Sequence, residues 1–212
     1  MKRIAVLASG SGTNLQALLD TVHAGELHAE IVVVVSNCGD AGALRRAADA
    51  GIATVALPLR DRRDPVVRDA YDRQLADVVA AFAPDLIVLA GWMLIFGPVF
   101  VDRFPGRIVN VHPALLPDDE GGDVLTSQGW LPVLRGPRTV RDALRQRLPI
   151  TGATVHYVTL AVDAGPVILR EEVPVLPGDD ERILHDRIKG VEHRLLPRAV
   201  GMVLAAMTER EE

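Results

Sequence analysis

Residues 4–9 form an unbroken apolar run that ends at Ser9-Gly10-Ser11-Gly12-Thr13-Asn14 and passes directly into helical spacing over 15–22. A strand without polar alternation must be covered on both faces, and a strand that turns at once into a helix opens a parallel crossover. The same succession then repeats. Residues 31–36 and 54–57 read as β-branched strands, 41–50 as a helix closed by Gly51, and 64–82 as a long amphipathic helix with Pro65 in its first turn. Residues 85–90 and 108–111 supply two more strands, separated by a short helical stretch ending near Phe104. The expected architecture is α/β: a Rossmann-like, mostly parallel twisted sheet with helices on both faces.

The pattern changes beyond Pro117. Residues 117–138 carry Gly121, Gly122, Gly129 and Gly136 with further proline breaks, and read as one long loop. Loops of that length inside a compact domain are usually functional. A helix over 139–146 precedes two strand-like runs, 153–159 and 167–175, joined across Asp163-Ala164-Gly165-Pro166. An apolar-periodic helix over 179–208 closes the chain, with a kink expected near Pro197. No repeat, low-complexity tract or composition break divides the sequence, so it reads as a single domain over 1–212, with halves at 1–105 and 106–212.

Bulk chemistry narrows the function. At 49% hydrophobic and 24% charged residues the composition is globular, and a formal charge of −5 makes the whole surface no trap for nucleic acid or anionic lipid. A local anion site needs only a few backbone N–H groups and stays open. Cys38 is the sole cysteine, which excludes an internal disulfide and a multi-cysteine metal site and suits a reducing cytosol. The apolar run after Met1 is too short for a signal peptide or membrane span. A cytoplasmic protein with no metal, no membrane and no nucleic-acid partner is the expectation.

Three segments carry chemistry. In the first turn, Gly10 and Gly12 let the backbone approach a ligand, while Thr13 and Asn14 add side-chain donors or cap the helix. Leu15 stands where a dinucleotide fingerprint would place its last glycine, so a phosphate monoester fits better than a dinucleotide. A tight turn with an ordinary cap explains the same residues. In Asn110-Val111-His112-Pro113, residues two apart share a strand face, and Pro113 keeps His112 extended at the strand end. Open α/β sheets place ligands at that end. Asp163, before Ala164-Gly165-Pro166, is either a turn former or a partner for the histidine. Together, Asn110, His112 and Asp163 suit acyl transfer to an amine: Asn110 and protonated His112 as oxyanion donors, Asp163 orienting the ring. No serine or cysteine stands beside a base, so direct attack by the amine is expected. His156, across its strand from Tyr157, reads as a hydrogen-bonded support for Asn110 or His112. No histidine pair has zinc-ligand spacing.

At these residues the sequence becomes recognisable. SGSGTNLQALL (9–19), SN (36–37), AYDRQL (70–75), LAGWM (89–93), NVHPALLP (110–117), TGATVHYV (151–158) and DAGPVIL (163–169) resemble, in order, the phosphoribosylglycinamide formyltransferase family of folate-dependent enzymes. The resemblance implies the formyltransferase fold and transfer of formyl from 10-formyltetrahydrofolate, a co-substrate rather than a bound cofactor, to the amine of glycinamide ribonucleotide in purine synthesis. It implies that Gly12, Thr13, Asn14 and Arg68 hold the ribose phosphate and that Lys189 and Glu192 contact the same substrate. Met93, Leu94, Ile95, Phe96 and Asn110 would line the folate pocket, partly through backbone groups, and Asn110, His112 and Asp163 would be catalytic. A solvated-charge reading of Lys189 stands beside this. The sequence departs from the family at Leu94, where many relatives are basic, and at 118–138, where relatives have a shorter loop. That insertion is expected near the folate entrance, as a lid, an oligomer contact or a surface flap.

Close alternatives are a 10-formyltetrahydrofolate hydrolase, which normally carries an N-terminal regulatory domain, and formyltransferases acting on tRNA or sugar nucleotides, which carry C-terminal domains. With Met1 three residues before the first strand and Glu212 at the end, neither extra domain is expected. A non-catalytic nucleotide-binding module is the alternative from another class. The resemblance leaves a monomer or a homodimer, with small-molecule partners, as the expected state.

Overall fold

The computed structural model describes residues 1–118 and 121–209. Its centre is a seven-stranded sheet built from β1 (Lys2–Leu7), β2 (Ala29–Ser36), β3 (Thr54–Ala56), β4 (Leu86–Leu89), β5 (Ile108–His112), β8 (Ile150–Tyr157) and β9 (Val167–Pro174). The order is β3-β2-β1-β4-β5-β8-β9. The first five strands pair in parallel, whereas β8 and β9 add antiparallel beyond β5. The strand order reverses between β1 and β4, so the crevice beyond their carboxyl ends is where such a sheet binds ligands.

Helices cover both faces, as the alternation predicts. The helices α1 (Thr13–His23), α2 (Gly42–Asp49), α5 (Thr139–Arg145) and α6 (Glu181–Glu209) bury Leu15, Leu18, Ala43, Ala143, Ile188 and Leu196 against the Val6 and Val88 side of the sheet. The opposite side, with Leu7, Val33 and Ile87, packs on Tyr71, Leu75 and Val79 of α3 (Pro65–Ala81) and Phe100 of α4 (Pro98–Val101). Both helix starts on this side follow from sequence. Asp64 caps α3 by accepting from the Val66 and Val67 N–H groups at 2.8 and 3.3 Å, and proline opens each helix where its missing N–H costs nothing. The last helix runs unbroken from Glu181 to Glu209 through the buried Pro197.

Two expectations need correction. The first concerns 117–138, which is not one loop. It contains a hairpin, β6 (Asp123–Thr126) and β7 (Gly129–Pro132), paired from Asp123–Pro132 to Thr126–Gly129; residues 119–120 lie outside the described residues. The turn uses Thr126 in place of an Asn-Gly signal: its hydroxyl accepts from Gln128 N–H at 3.1 Å and donates to the Gly129 carbonyl at 2.7 Å. The second correction is at α1, where neither Thr13 nor Asn14 caps the helix. Gly12 holds the N-cap position at φ 75°, and no side chain accepts there.

The connection from β8 to β9 carries Asp163 and is tightly fitted. A Cβ on Gly165 would lie 1.9 Å from the Tyr157 carbonyl oxygen, and Tyr157 N–H bonds the Pro166 carbonyl at 2.9 Å. Gly165→Ala is predicted to destabilise the fold by about 1–3 kcal/mol through overpacking of backbone on backbone, as measured by urea unfolding.

Candidate active site

The carboxyl ends of β1, β4 and β5 open on a cavity of about 420 Å³. Its walls are the 10–14 turn, residues 89–96 after β4, residues 110–113 of β5, the start of α5, residues 158–163, and one stripe of α6.

At one end lies the glycine turn. Gly12 is boxed in: a Cβ there would meet Ala43 Cα at 2.6 Å, and its left-handed backbone independently excludes a side chain. With no side chain occupying the helix start, the first N–H groups of α1 face the cavity end as an anion cradle. Asn14 is instead turned toward α6, donating Nδ2–H to Glu192 Oε2 at 2.9 Å. Burial raises the Glu192 carboxyl pKa, while the Asn14 bond and the Lys189 charge pull the other way. Asn14 Oδ1 is buried and unpartnered. Lys189 lines the cavity with its Nζ 3.5 Å from Asp186 Oδ1. Ser9 fastens the turn to the opposite wall: its hydroxyl donates to Asn37 Oδ1 at 2.6 Å and accepts from Met93 N–H at 2.9 Å.

At the other end, β5 delivers Asn110 and His112 to the cavity and the β8–β9 connection delivers Asp163. Asp163 Oδ2 lies 3.4 Å from His112 Nδ1, and Oδ1 lies 3.6 Å from His156 Nε2. His112 Nε2 donates to the Leu134 carbonyl at 2.9 Å, because a carbonyl can only accept. His156 is fixed likewise by Nδ1–H to the Tyr157 carbonyl at 2.8 Å, and its Nε2 lies 3.2 Å from Asn110 Nδ2. One Asn110 N–H faces His156, and the second is available to a ligand. The support role expected of His156 matches this contact.

The pKa values of His112 and Asp163 both move down, for different reasons. Burial lowers the His112 pKa, opposed by the Asp163 carboxylate and the Leu134 carbonyl, with His156 and Arg135 also facing the ring as cations or potential cations. Burial also opposes charge on Asp163. The His156 hydrogen bond, the His112 ring and the Gly136 N–H outweigh it and hold the carboxyl at about 2.

The residues expected at the folate wall divide by alternation. Leu94 and Phe96 turn inward to the core, where Trp92, Phe96, Phe100 and Phe104 form a run of ring contacts, whereas Met93 and Ile95 are 56% and 62% exposed. All four residues border the cavity. Arg68 is not among the lining residues, but its guanidinium donates to the carbonyl of Ile95, which is. Sequence reasoning missed His185 and Arg138, which also line the cavity, and the backbone contacts of 134–136. A faint signal existed for His185, which stands one turn before Lys189 on the same helix face. Among the described residues no group of His, Cys, Asp and Glu side chains is placed to share a metal ion.

A buried amide–imidazole–carboxylate set at the strand ends of an open sheet, facing an anion cradle across one cavity, defines a group-transferring enzyme of the doubly wound α/β class. The chain belongs to the formyl transferase family, whose conserved region matches residues 2–200. It is 42% identical over 199 residues to the phosphoribosylglycinamide formyltransferase of Mycobacterium tuberculosis (strain CDC 1551 / Oshkosh), covering 94% of this chain and 83% of that one. Identity to the Escherichia coli (strain K12) phosphoribosylglycinamide formyltransferase is 40% over 198 residues, covering 93% and 85%. The crystal structure of glycinamide ribonucleotide transformylase 1 from Symbiobacterium toebii superposes with a TM-score of 0.83 at 39% identity, covering 95% of this chain and 86% of that one. The Bacillus halodurans phosphoribosylglycinamide formyltransferase superposes at 0.84 with 32% identity, covering 96% and 95%.

The depressed Asp163 carboxyl makes a pH-dependent contribution to folding. The folded group titrates near 2 against an ordinary 3.8, so its stabilisation is complete above 3.8 and is lost as pH falls toward 2. Asp163→Asn is expected to lower the thermal unfolding midpoint at pH 7 by a few degrees. The gap from the parent protein should close as both are scanned from pH 4 toward pH 2.

Proposed function

We propose that this chain transfers the formyl group of 10-formyltetrahydrofolate to the amine of 5-phosphoribosylglycinamide, by direct attack and a tetrahedral intermediate, in purine synthesis. The observation that carries the reading is the convergence of Asn110, His112 and Asp163 at one end of a cavity whose other end is the Gly12 helix start. The family and the names of relatives at about 40% identity support the same reaction.

In this reading the ribose phosphate sits on the N–H groups of Gly12, Thr13 and Asn14, and Lys189 and Glu192 hold the glycinamide ribonucleotide from α6. The formyl folate lies along 93–96, reading backbone groups more than side chains, since Leu94 and Phe96 face the core. As the amine nitrogen bonds to the formyl carbon, the formyl oxygen becomes an oxyanion beside the free Asn110 N–H. Neutral His112 already spends Nε2–H on Leu134, so its Nδ1 lone pair takes the proton released by the amine. That proton then lies between the ring and Asp163 Oδ2, where the carboxylate stabilises it. The growing negative charge on the oxygen offsets the burial that disfavours imidazolium. Collapse of the intermediate breaks the bond from carbon to the folate nitrogen, and the same proton passes to that nitrogen. Both reactants are small molecules, and the enzyme works in the cytoplasm as a monomer or homodimer. Among the described residues no helix is long and apolar enough to cross a membrane.

Turnover of a 10-formyl folate donor should require the ribonucleotide, as followed by release of the deformylated folate. Turnover in its absence would identify a hydrolase instead, and binding of NAD with no folate turnover would identify a nucleotide-binding module. His112→Ala and Asp163→Asn are each expected to lower kcat by roughly 10²–10³. Full turnover in both variants would refute the assignment of the catalytic set.

A further inference from the structure

Three consecutive residues at the exit of the hairpin hold both members of the His112–Asp163 pair. The Leu134 carbonyl accepts from His112 Nε2 at 2.9 Å, Arg135 Nε donates to the Asp163 carbonyl at 3.1 Å, and Gly136 N–H donates to Asp163 Oδ2 at 2.8 Å. Arg135 is the only one of the three acting through a side chain, and it reaches further: its Nη2 donates to the Gly121 carbonyl at 3.2 Å. Close by, Val133 N–H bonds the Gly122 carbonyl at 2.9 Å. Entry and exit of the hairpin are thereby joined into a stem, and the stem is pinned to Asp163.

Asp163 needs such a pin. Its φ of 49° is a left-handed backbone that a non-glycine residue adopts only at a cost, sustained where surrounding contacts over-determine it. In that conformation the Asp163 carbonyl and carboxylate both face the 134–136 segment, so one donor fixes the backbone and another the side chain. If the backbone donor is lost, the turn is free to relax, and the carboxylate swings from its 3.4 Å approach to His112. A rigid planar fork suits the task, since the guanidinium spans two carbonyls that a lysine ammonium on a flexible stem would not hold together.

We infer that Arg135 is a positioning residue, which sets Asp163 against His112 by clamping the left-handed Asp163 backbone to the stem of the hairpin. The inference rests on the catalytic reading of His112 and Asp163 given above. It assigns Arg135 a part in the chemistry without contact with either substrate, since its side chain does not line the cavity.

The test compares Arg135→Met and Arg135→Lys with Asp163→Asn and the double variant Arg135→Met/Asp163→Asn, measuring kcat and both KM values. Arg135→Met should lower kcat roughly ten- to a hundredfold, the scale of a small misplacement of a reacting group, with each KM within twofold. Arg135→Lys keeps the charge without the fork and should recover only part of the loss. It also serves as the probe if the methionine variant does not fold. In the Asp163→Asn background, Arg135→Met should cost less than threefold more, because its partner's role is already gone. Parent-like kcat in Arg135→Met, a raised KM with unchanged kcat, or full additivity with Asp163→Asn would each overturn the inference. Parent-like kcat in Asp163→Asn alone would instead overturn the catalytic reading on which it rests.

Discussion

A carboxylate with 11% of its side chain exposed has given up most of its hydration, at a cost of several kcal/mol unless donors replace the lost water. Asp163 is in that position, and much of the active end of the molecule is arranged to supply it. His112 and His156 approach its two oxygens from β5 and β8, and Gly136 adds a backbone donor from the far side of the cavity. Because these groups come from separate elements, the surroundings of the carboxylate are complete only when β5, the β8–β9 connection and the segment before α5 are all in place. The ion is thus a fixed point of assembly as well as a reactive group.

The opposite end of the cavity is held by a different kind of bond. Asn14 and Glu192 are far apart in sequence and both buried, and their 2.9 Å contact joins the first glycine turn to the last helix. Desolvation disfavours charge on Glu192, so the pair tolerates a neutral acid in a way that the Asp163 cluster does not. The two ends therefore differ in electrostatic character. One offers N–H groups to an incoming anion, and the other keeps a permanent anion beside two imidazoles that can take up a proton.

Much of this was legible in the sequence because apolar strand runs and the glycine turn carry strong side-chain signals. The parallel core, both helix layers and the shared face of Asn110 and His112 follow from period, position and the Pro113 constraint, whereas Asp163, which spacing left as a turn former or a partner for the histidine, was singled out by the family resemblance. The hairpin was hidden because its strands are four residues each and its turn is made by Thr126-Ser127-Gln128-Gly129, a sequence without a conventional hairpin signature. The cap at α1 was misjudged because Asn14, a strong capping residue in isolation, has a buried acid partner that only the tertiary fold brings near. The contact of Arg68 with the Ile95 carbonyl was not legible, because a long exposed side chain takes an acceptor that only the tertiary fold brings near. The grip of Leu134 and Gly136 on the catalytic pair left no trace in the sequence, because backbone groups have no residue identity.

The insertion at 118–138 was expected next to the folate entrance, as a lid, an oligomer contact or a surface flap. Its described residues up to Arg135 do not line the cavity, whereas its last three, Gly136, Pro137 and Arg138, do. Val124 is buried and borders the same small crevice as Ala114, Leu115 and Ile150, whereas Leu125 and its cross-strand partner Trp130 face solvent. A second tie runs from the hairpin turn to β9, where Ser127 N–H and hydroxyl both bond the Glu172 carboxylate. A hairpin anchored at its tip to β9 and at its stem to the β8–β9 connection is braced at both ends. Bracing of that kind restricts the 134–136 segment, and through its carbonyl and N–H contacts the positions of His112 and Asp163.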